Sequence, residues 1–338
     1  MNKITKLGVS ALCGTLASVS AANAGELTVT GGADLSWISL DDATTGNPIG
    51  IGSNLTFAGS GELDNGWGVA LTVAMDNSDA YSNTTVNVTV PSIGGILFSQ
   101  GVSGTGIDRM DDVTPNVWEE AYAVGLGSGI NTVSGTSGGT TIEYTPEMMP
   151  DGLTARIAYS PDVGGSGAAD KSNAAAIAST KGSGFDVTLV ATDAIHGMAG
   201  LTVSGGYSET AQDNNSATIS GDVEETTLAV TYAAGGFTVG YQWSEEDLGT
   251  SSGAKEYTND GYGITFNIND DLSVGYNHYE SEQTNSTNVT TEATSLQLAY
   301  SMGGASIRLA RGDVDNGAYQ TTAAYDKENT LLSVSLAF

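Results

Sequence analysis

Residues 329–338 read NTLLSVSLAF. The apolar residues Leu332, Val334, Leu336 and Phe338 alternate with Ser333, Ser335 and Ala337. Successive side chains of a strand point to opposite faces, so a period of two specifies a strand with one apolar face. The last residues of a domain ordinarily fray in water unless something ties them down. A terminal strand that stops on a bare aromatic therefore calls for a partner strand and an apolar surrounding.

The same alternation recurs through the chain in stretches of about ten residues. FTVGYQW sets Phe237, Val239, Tyr241 and Trp243 against Thr238, Gly240 and Gln242. GYGITFNI sets Tyr262, Ile264, Phe266 and Ile268 against Gly263, Thr265 and Asn267. LSVGY, SLQLAY and LTARIAY repeat the pattern, and in the last of these the polar face includes Arg156. A soluble β-sandwich would bury the apolar face and wet the polar one. A membrane barrel shows the same alternation turned inside out, apolar to lipid and polar to an aqueous lumen.

Connection lengths separate these alternatives. Sixteen strand candidates are joined by short and long segments in alternation. The short ones are 64–66, 91–95, 146–152, 197–200, 233–236, 269–271 and 301–304. The long ones lie near 41–49, 77–83, 101–138, 161–183, 209–222, 246–256, 281–290 and 312–325. Tight turns at one end and long loops at the other are the asymmetry of an outer-membrane barrel. Aromatics near strand ends (Trp37, Trp67, Tyr81, Trp243, Tyr276 and Tyr300) fit the girdles of a membrane interface. The expected fold is all-β, a closed antiparallel barrel of sixteen strands.

Composition restricts function. Ten Lys plus Arg stand against 39 Asp plus Glu in 338 residues. Nucleic acid is excluded as a partner, because binding a phosphate backbone needs a basic surface. At the N-terminus, Lys3 and Lys6 precede the apolar run LGVSALCGTLASV and the small residues AANA at 21–24. This is the layout of a secretory signal peptide, with cleavage expected after Ala24 and the barrel occupying 25–338. Cys13 is the only cysteine and lies inside this leader. Leu12 directly before it is bulky where a lipoprotein signal needs a small residue. Removal of Lys3 and Lys6 leaves 8 basic against 39 acidic residues, a net of −31.

At this point the chain resembles the general bacterial porins of Gram-negative outer membranes in its leader, sixteen strands, long third loop and Phe-terminated last strand. The resemblance implies short periplasmic turns, long external loops and a homotrimer in outer-membrane lipid. It also implies that Leu332, Val334, Leu336 and Phe338 are read by the barrel-assembly machinery. The implied activity is passive diffusion of ions and small hydrophilic solutes. A sixteen-stranded barrel is wide enough for an aqueous channel. A channel specific for one sugar or peptide is the nearest alternative; an acidic adhesin and the translocator barrel of a secreted passenger are others.

Loop 3, about 101–138, is where such proteins narrow the pore, and a loop this long without strand pattern is ordinarily functional or disordered. Met110, Val113, Val117, Trp118 and Tyr122 could hold it against the wall. It carries Asp108, Asp111, Asp112, Glu119 and Glu120 with Arg109 as its one base. The expected lumen wall includes Asp34, Glu62, Asp76 and Glu143, with Arg156 and Arg308 as its bases and Arg311 near a strand end. The family commonly sets a row of basic residues on the early strands, and here that row is absent. An acidic lumen concentrates cations, so cation preference is expected.

No enzyme is expected. His196 lies by the turn GMAG, and His278 follows Tyr276 on the apolar parity near a strand end, where it reads as a surface histidine at the membrane boundary; only His278 with Ser281 could imitate the catalytic pair of some barrel hydrolases. No metal or other cofactor is expected. DVDNG (313–317) and DNNS (213–216) could attract Ca²⁺ but lack the spacing of a dedicated site. Val86, Val88 and Val90 give the outer face of TVNVTV no aromatic, which suits contact with protein better than a lipid interface.

Overall fold

A computed structural model describes residues 24–41, 46–77, 83–163, 181–212 and 218–337. The expected leader, Tyr81, DNNS and Phe338 lie outside the described residues, wholly or, for the leader, up to residue 23.

Sixteen strands form one closed antiparallel barrel. The first five are β1 (Ala24–Leu40), β2 (Ile49–Glu62), β3 (Gly68–Asp76), β4 (Asn83–Val90) and β5 (Gly94–Gln100). After loop 3 come β6 (Thr140–Pro146), β7 (Leu153–Ser160) and β8 (Gly184–Ala191), then the one-turn helix α1 (Asp193–His196). The remaining strands are β9 (Leu201–Thr210), β10 (Val223–Ala234), β11 (Phe237–Asp247), β12 (Glu256–Asn267), β13 (Leu272–Thr284), β14 (Val289–Met302), β15 (Ala305–Asp315) and β16 (Lys327–Ala337).

Each strand pairs with its sequence neighbours, and β16 returns to β1 in a register running from Gly32↔Ala337 to Leu40↔Asn329. Closure satisfies the backbone of both terminal strands and leaves no open edge. This is the partner that the terminal strand required. Six of the seven short connections fall where the sequence put them; the one expected at 197–200 runs over 192–200 and carries α1. Two-residue hairpins such as Gly235–Gly236 place a glycine at φ 61°, a left-handed conformation that glycine adopts without steric cost. One long connection is shorter than expected. β13 and β14 extend to Thr284 and from Val289, so four residues join them where the pattern suggested ten.

The apolar parity faces outward. Ile51 is 73% exposed and Leu296 61%, and Trp37, Tyr241, Tyr262 and Leu332 share that exposure. Surface of this kind suits lipid, and among the described residues no helix is long and apolar enough to cross a membrane. The buried apolar residues lie inside the barrel instead. Ala121, Val124 and Leu126 of loop 3 pack with Tyr279, Ala293, Ala310 and Val314 of the wall. The core of this protein is the seam between loop 3 and the lumen face.

Candidate functional site: the lumen and loop 3

Loop 3 lies inside the barrel and follows the wall. It leaves β5 at Gln100 and forms a 3-10 turn at Gly106–Met110. There the Gly106 N–H donates to Glu143 Oε2 of β6 at 2.7 Å, and the Ile107 N–H to Asp186 Oδ2 of β8 at 3.1 Å. Farther along, the Val113 N–H donates to Gln242 Oε1 of β11 at 3.1 Å. The hydroxyls of Thr114 and Tyr279 of β13 are hydrogen-bonded. The Trp118 N–H donates to Gln297 Oε1 of β14 at 3.1 Å, and Asn329 Nδ2 of β16 donates to the Val124 carbonyl at 2.6 Å.

The loop then turns back along the same wall. The Asn131 N–H donates to the Tyr319 hydroxyl at 3.2 Å, and Asn259 Nδ2 of β12 to the Asn131 carbonyl at 2.9 Å. Glu225 of β10 accepts from the Ser134 and Gly135 N–H groups at 2.9 and 2.7 Å. Asp186 accepts from Thr136 Oγ1 at 2.8 Å. A segment of this length can be held inside an aqueous lumen because each turn of its backbone meets a side-chain partner and its apolar side chains meet alanines and aromatics of the wall. The Tyr122 ring, for example, stands edge-on to Tyr279 with centroids 4.8 Å apart.

The expected charged residues divide into three groups. Asp112 is exposed, and Asp111, Glu119 and Glu120 are half-buried. Burial and the neighbouring Asp112, Asp108 and Glu120 charges push the Asp111 carboxyl up to about 8. Burial, then Asp112 and Glu119, push Glu120 up to about 7, although its own backbone and Asn116 oppose the shift. Glu119 is also raised by burial, with Arg308 pulling the other way. Asp108 is turned into the loop itself, accepting from the Gly104 N–H and, at 2.8 Å, from Ser137 Oγ.

Every lumenal arginine has a carboxylate beside it. Arg109 binds Glu143 through two parallel hydrogen bonds, Nη2 to Oε1 at 2.7 Å and Nε to Oε2 at 3.1 Å. Arg156 Nε lies 3.9 Å from the same carboxylate. Arg308 lies 4.0 Å from Asp34 across the β15–β16–β1 seam. Clefts open on two sides of the loop. One of about 440 Å³ is lined by Asp34, Trp118, Glu119 and Arg308, among others, and one of about 350 Å³ by Asn87, Leu97, Arg109, Glu143, Thr145 and Arg156.

Two expectations change. Arg311 is not lumenal: it shares the parity of the outward Ile307 and Leu309, and pairs with Asp41 at 2.6 Å and with Glu328. Glu62 and Asp76 have the lumen parity expected of them, and each ends its strand, at opposite ends of the barrel. His278 is not a surface histidine at a strand end. It is 7% exposed within β13, stacked on Tyr262 with centroids 4.8 Å apart and 3.1 Å from Glu280. Ser281 sits on the opposite, lumen face and bonds the Tyr319 hydroxyl, so these two residues form no catalytic pair.

Apart from Glu143, the residues that seat loop 3 were not singled out as such in the sequence: Gln242, Gln297, Asn277, Asn329, Asp186 and Glu225. Their signal was present as amide and carboxylate side chains on a strand parity otherwise filled by Ser, Thr and Gly.

A family model described as Gram-negative porin matches residues 8–316. The chain belongs to the Gram-negative porin family. None of the curated proteins matches it in sequence. Among solved structures, a porin refined at 1.8 Å resolution is 16% identical, with 93% of this chain and 100% of that one covered and a TM-score of 0.64. The OmpF of Salmonella typhi, in complex with daunomycin, is 13% identical over 93% and 98% of the two chains, with a TM-score of 0.66. An anion-selective porin from Comamonas acidovorans is 12% identical over 93% and 100%, with a TM-score of 0.62. At these identities the structures share the barrel. The family and the barrel together make this an outer-membrane channel protein.

Proposed function

We propose that this porin is a passive-diffusion pore for ions and small hydrophilic solutes, that loop 3 forms its constriction, and that it prefers cations. One observation carries the preference: the three lumenal arginines Arg109, Arg156 and Arg308 stand beside two carboxylates, Glu143 and Asp34, which leaves one positive charge over, whereas among the described residues the four carboxylates Asp111, Asp112, Glu119 and Glu120 have no ion pair of their own, apart from the pull of Arg308 on Glu119, and outnumber it when ionised. Net negative charge in a narrow aqueous zone with low-dielectric walls raises cation and lowers anion concentration. Because an anion-selective porin shares the barrel, the sign comes from the side chains and not from the fold. The test is the reversal potential of the purified porin in a planar bilayer under a KCl gradient. A potential of the sign set by potassium is expected; one set by chloride sinks the reading.

Several further features belong to the same reading. Residues 1–24 are a leader removed on export, with β1 starting at its last residue, Ala24. The protein assembles as a homotrimer in outer-membrane lipid through the face that includes Val86, Val88 and Val90. The last strand, with Leu332, Val334 and Leu336 on the outward parity and Phe338 at its end, is the segment read during barrel assembly. No catalytic role and no cofactor is proposed. Specificity for one sugar or peptide has no structural observation in its favour.

A further inference from the structure

Loop 3 rests on a part of the wall that has no side chains. Gly240 of β11 and Gly263 of β12 are direct cross-strand partners on the lumen face, leaving a bare patch two strands wide. Pro115 lies on it. A Cβ added to Gly240 would stand 2.5 Å from Pro115 Cδ and 3.0 Å from its Cγ. A Cβ added to Gly263 would stand 2.2 Å from the Pro115 carbonyl oxygen and 3.1 Å from its carbonyl carbon. Ordinary van der Waals contact is 3.4–4 Å, so in either case something must shift. Next along, a Cβ on Gly275 of β13 would stand 3.2 Å from Val117. Neither Gly240 nor Gly263 has a positive φ, so backbone conformation does not require glycine here. Glycine within a strand weakens it and marks a site where another backbone comes close.

Pro115 stands between the acidic pairs Asp111–Asp112 and Glu119–Glu120. We infer that Gly240 and Gly263 are specificity-determining residues of the pore: they form the seat of Pro115 and so fix how far both pairs of carboxylates project into the lumen. The inference rests on the channel reading given above. The two glycines act on different atoms of the proline. Gly240 makes room for the pyrrolidine ring, and Gly263 makes room for the backbone carbonyl.

That difference supplies the test. In the folded porin, checked by heat-modifiable migration, G240A and G263A are each expected to push loop 3 off the wall and lower the single-channel conductance in KCl below wild type. Pro115→Ala removes Cγ and Cδ but keeps the carbonyl. P115A is therefore expected to restore G240A to the P115A conductance and to leave G263A low. The other close neighbour of a Gly240 Cβ, Thr231 Cγ2 at 2.9 Å, is a methyl that can rotate aside. Unchanged conductance in both single variants overturns the inference, as does a P115A that rescues both or neither. Should G263A not fold, the G240A and P115A/G240A pair decides alone.

A second measurement reads the contact without ion flow. The P115C/G240C variant, in a Cys13→Ser background, is expected to form a disulfide in the folded barrel. No cross-link there overturns the seat. A cross-link in that variant together with a wild-type porin that folds but does not conduct would instead sink the channel reading.

Discussion

Cation preference in this pore should depend on pH within the physiological range. The carboxyls of Asp111 and Glu120 are raised to about 8 and about 7. A raised carboxyl is neutral below its pKa and charged above it. At pH 9 Asp111 is roughly nine-tenths ionised and Glu120 almost fully; at pH 6 Asp111 is on the order of a hundredth ionised and Glu120 about a tenth. Acidification thus removes close to two of the four loop charges. A unit charge about 8 Å from a passing ion in bulk water is worth roughly 0.5 kcal/mol, so the loss of two is about 1 kcal/mol. That loss acts with opposite sign on potassium and chloride, about 2 kcal/mol in their ratio, and since about 1.4 kcal/mol is a factor of ten, the potassium-to-chloride permeability ratio should fall about 25-fold between pH 9 and pH 6 before screening. Reversal potentials in 0.1 M against lower KCl, where the Debye length is still about 10 Å, would measure it. The D111N/E120Q variant should show a flat profile over the same interval. A flat wild-type profile, or a preference that grows on acidification, refutes the reasoning.

Three further outcomes follow from named contacts. Glu143→Gln removes the one carboxylate beside both Arg109 and Arg156, so the permeability ratio should shift toward chloride by about 25-fold before screening, because roughly 1 kcal/mol at 4 Å in water is lost to potassium and gained by chloride; an unchanged reversal potential would show that this cluster does not face the ion path. Gln297→Ala leaves the Trp118 and Glu119 N–H groups without their acceptor, at a cost of about 1–3 kcal/mol for a buried donor. The barrel should still fold while open-channel current noise rises, and quiet current would count against the anchor. Mass spectrometry of the exported protein should give an N-terminus at Gly25, against which an intact Met1 would be decisive; cross-linking in native membranes should trap trimers, and monomers alone would rule them out.

The strands could be read directly because a membrane barrel writes its two environments into alternate residues. FTVGYQW names both faces of β11, and its exposed Phe237, Val239 and Tyr241 lie on the side the pattern assigns to lipid. Parity also gives the face of Arg311, two residues beyond the outward Leu309; proximity to a strand end obscured it. The seating of loop 3 was less legible. Glu143 and Arg109 are 34 residues apart and Gln242 and Val113 are 129 apart, and no local period links such positions. A lumen glutamine that anchors a loop also has the same parity as one that merely faces water. Gly240 and Gly263 read as ordinary small polar-face residues until their register shows that they are neighbours.

In a soluble domain the hydrophobic effect drives the sheet's apolar face inward, but here that face meets lipid and the lumen is left to be organised by loop 3. On the proposed reading the loop serves as both core and filter, and the two roles pull against each other. Val124, Leu126 and Ala121 hold it by being buried, and the same close approach to the wall partly desolvates Asp111, Glu119 and Glu120. Desolvation favours the neutral carboxyl, so the more tightly the loop is seated, the less charge it presents at neutral pH. A variant that loosens the loop should rehydrate these groups and lower their pKa values. Gln297→Ala, whose lost contacts lie at Trp118 and Glu119, should therefore move the midpoint of the selectivity titration to lower pH while its current grows noisier. A midpoint that stays in place, or rises, would mean that the mutual repulsion of the carboxylates outweighs burial in setting their protonation.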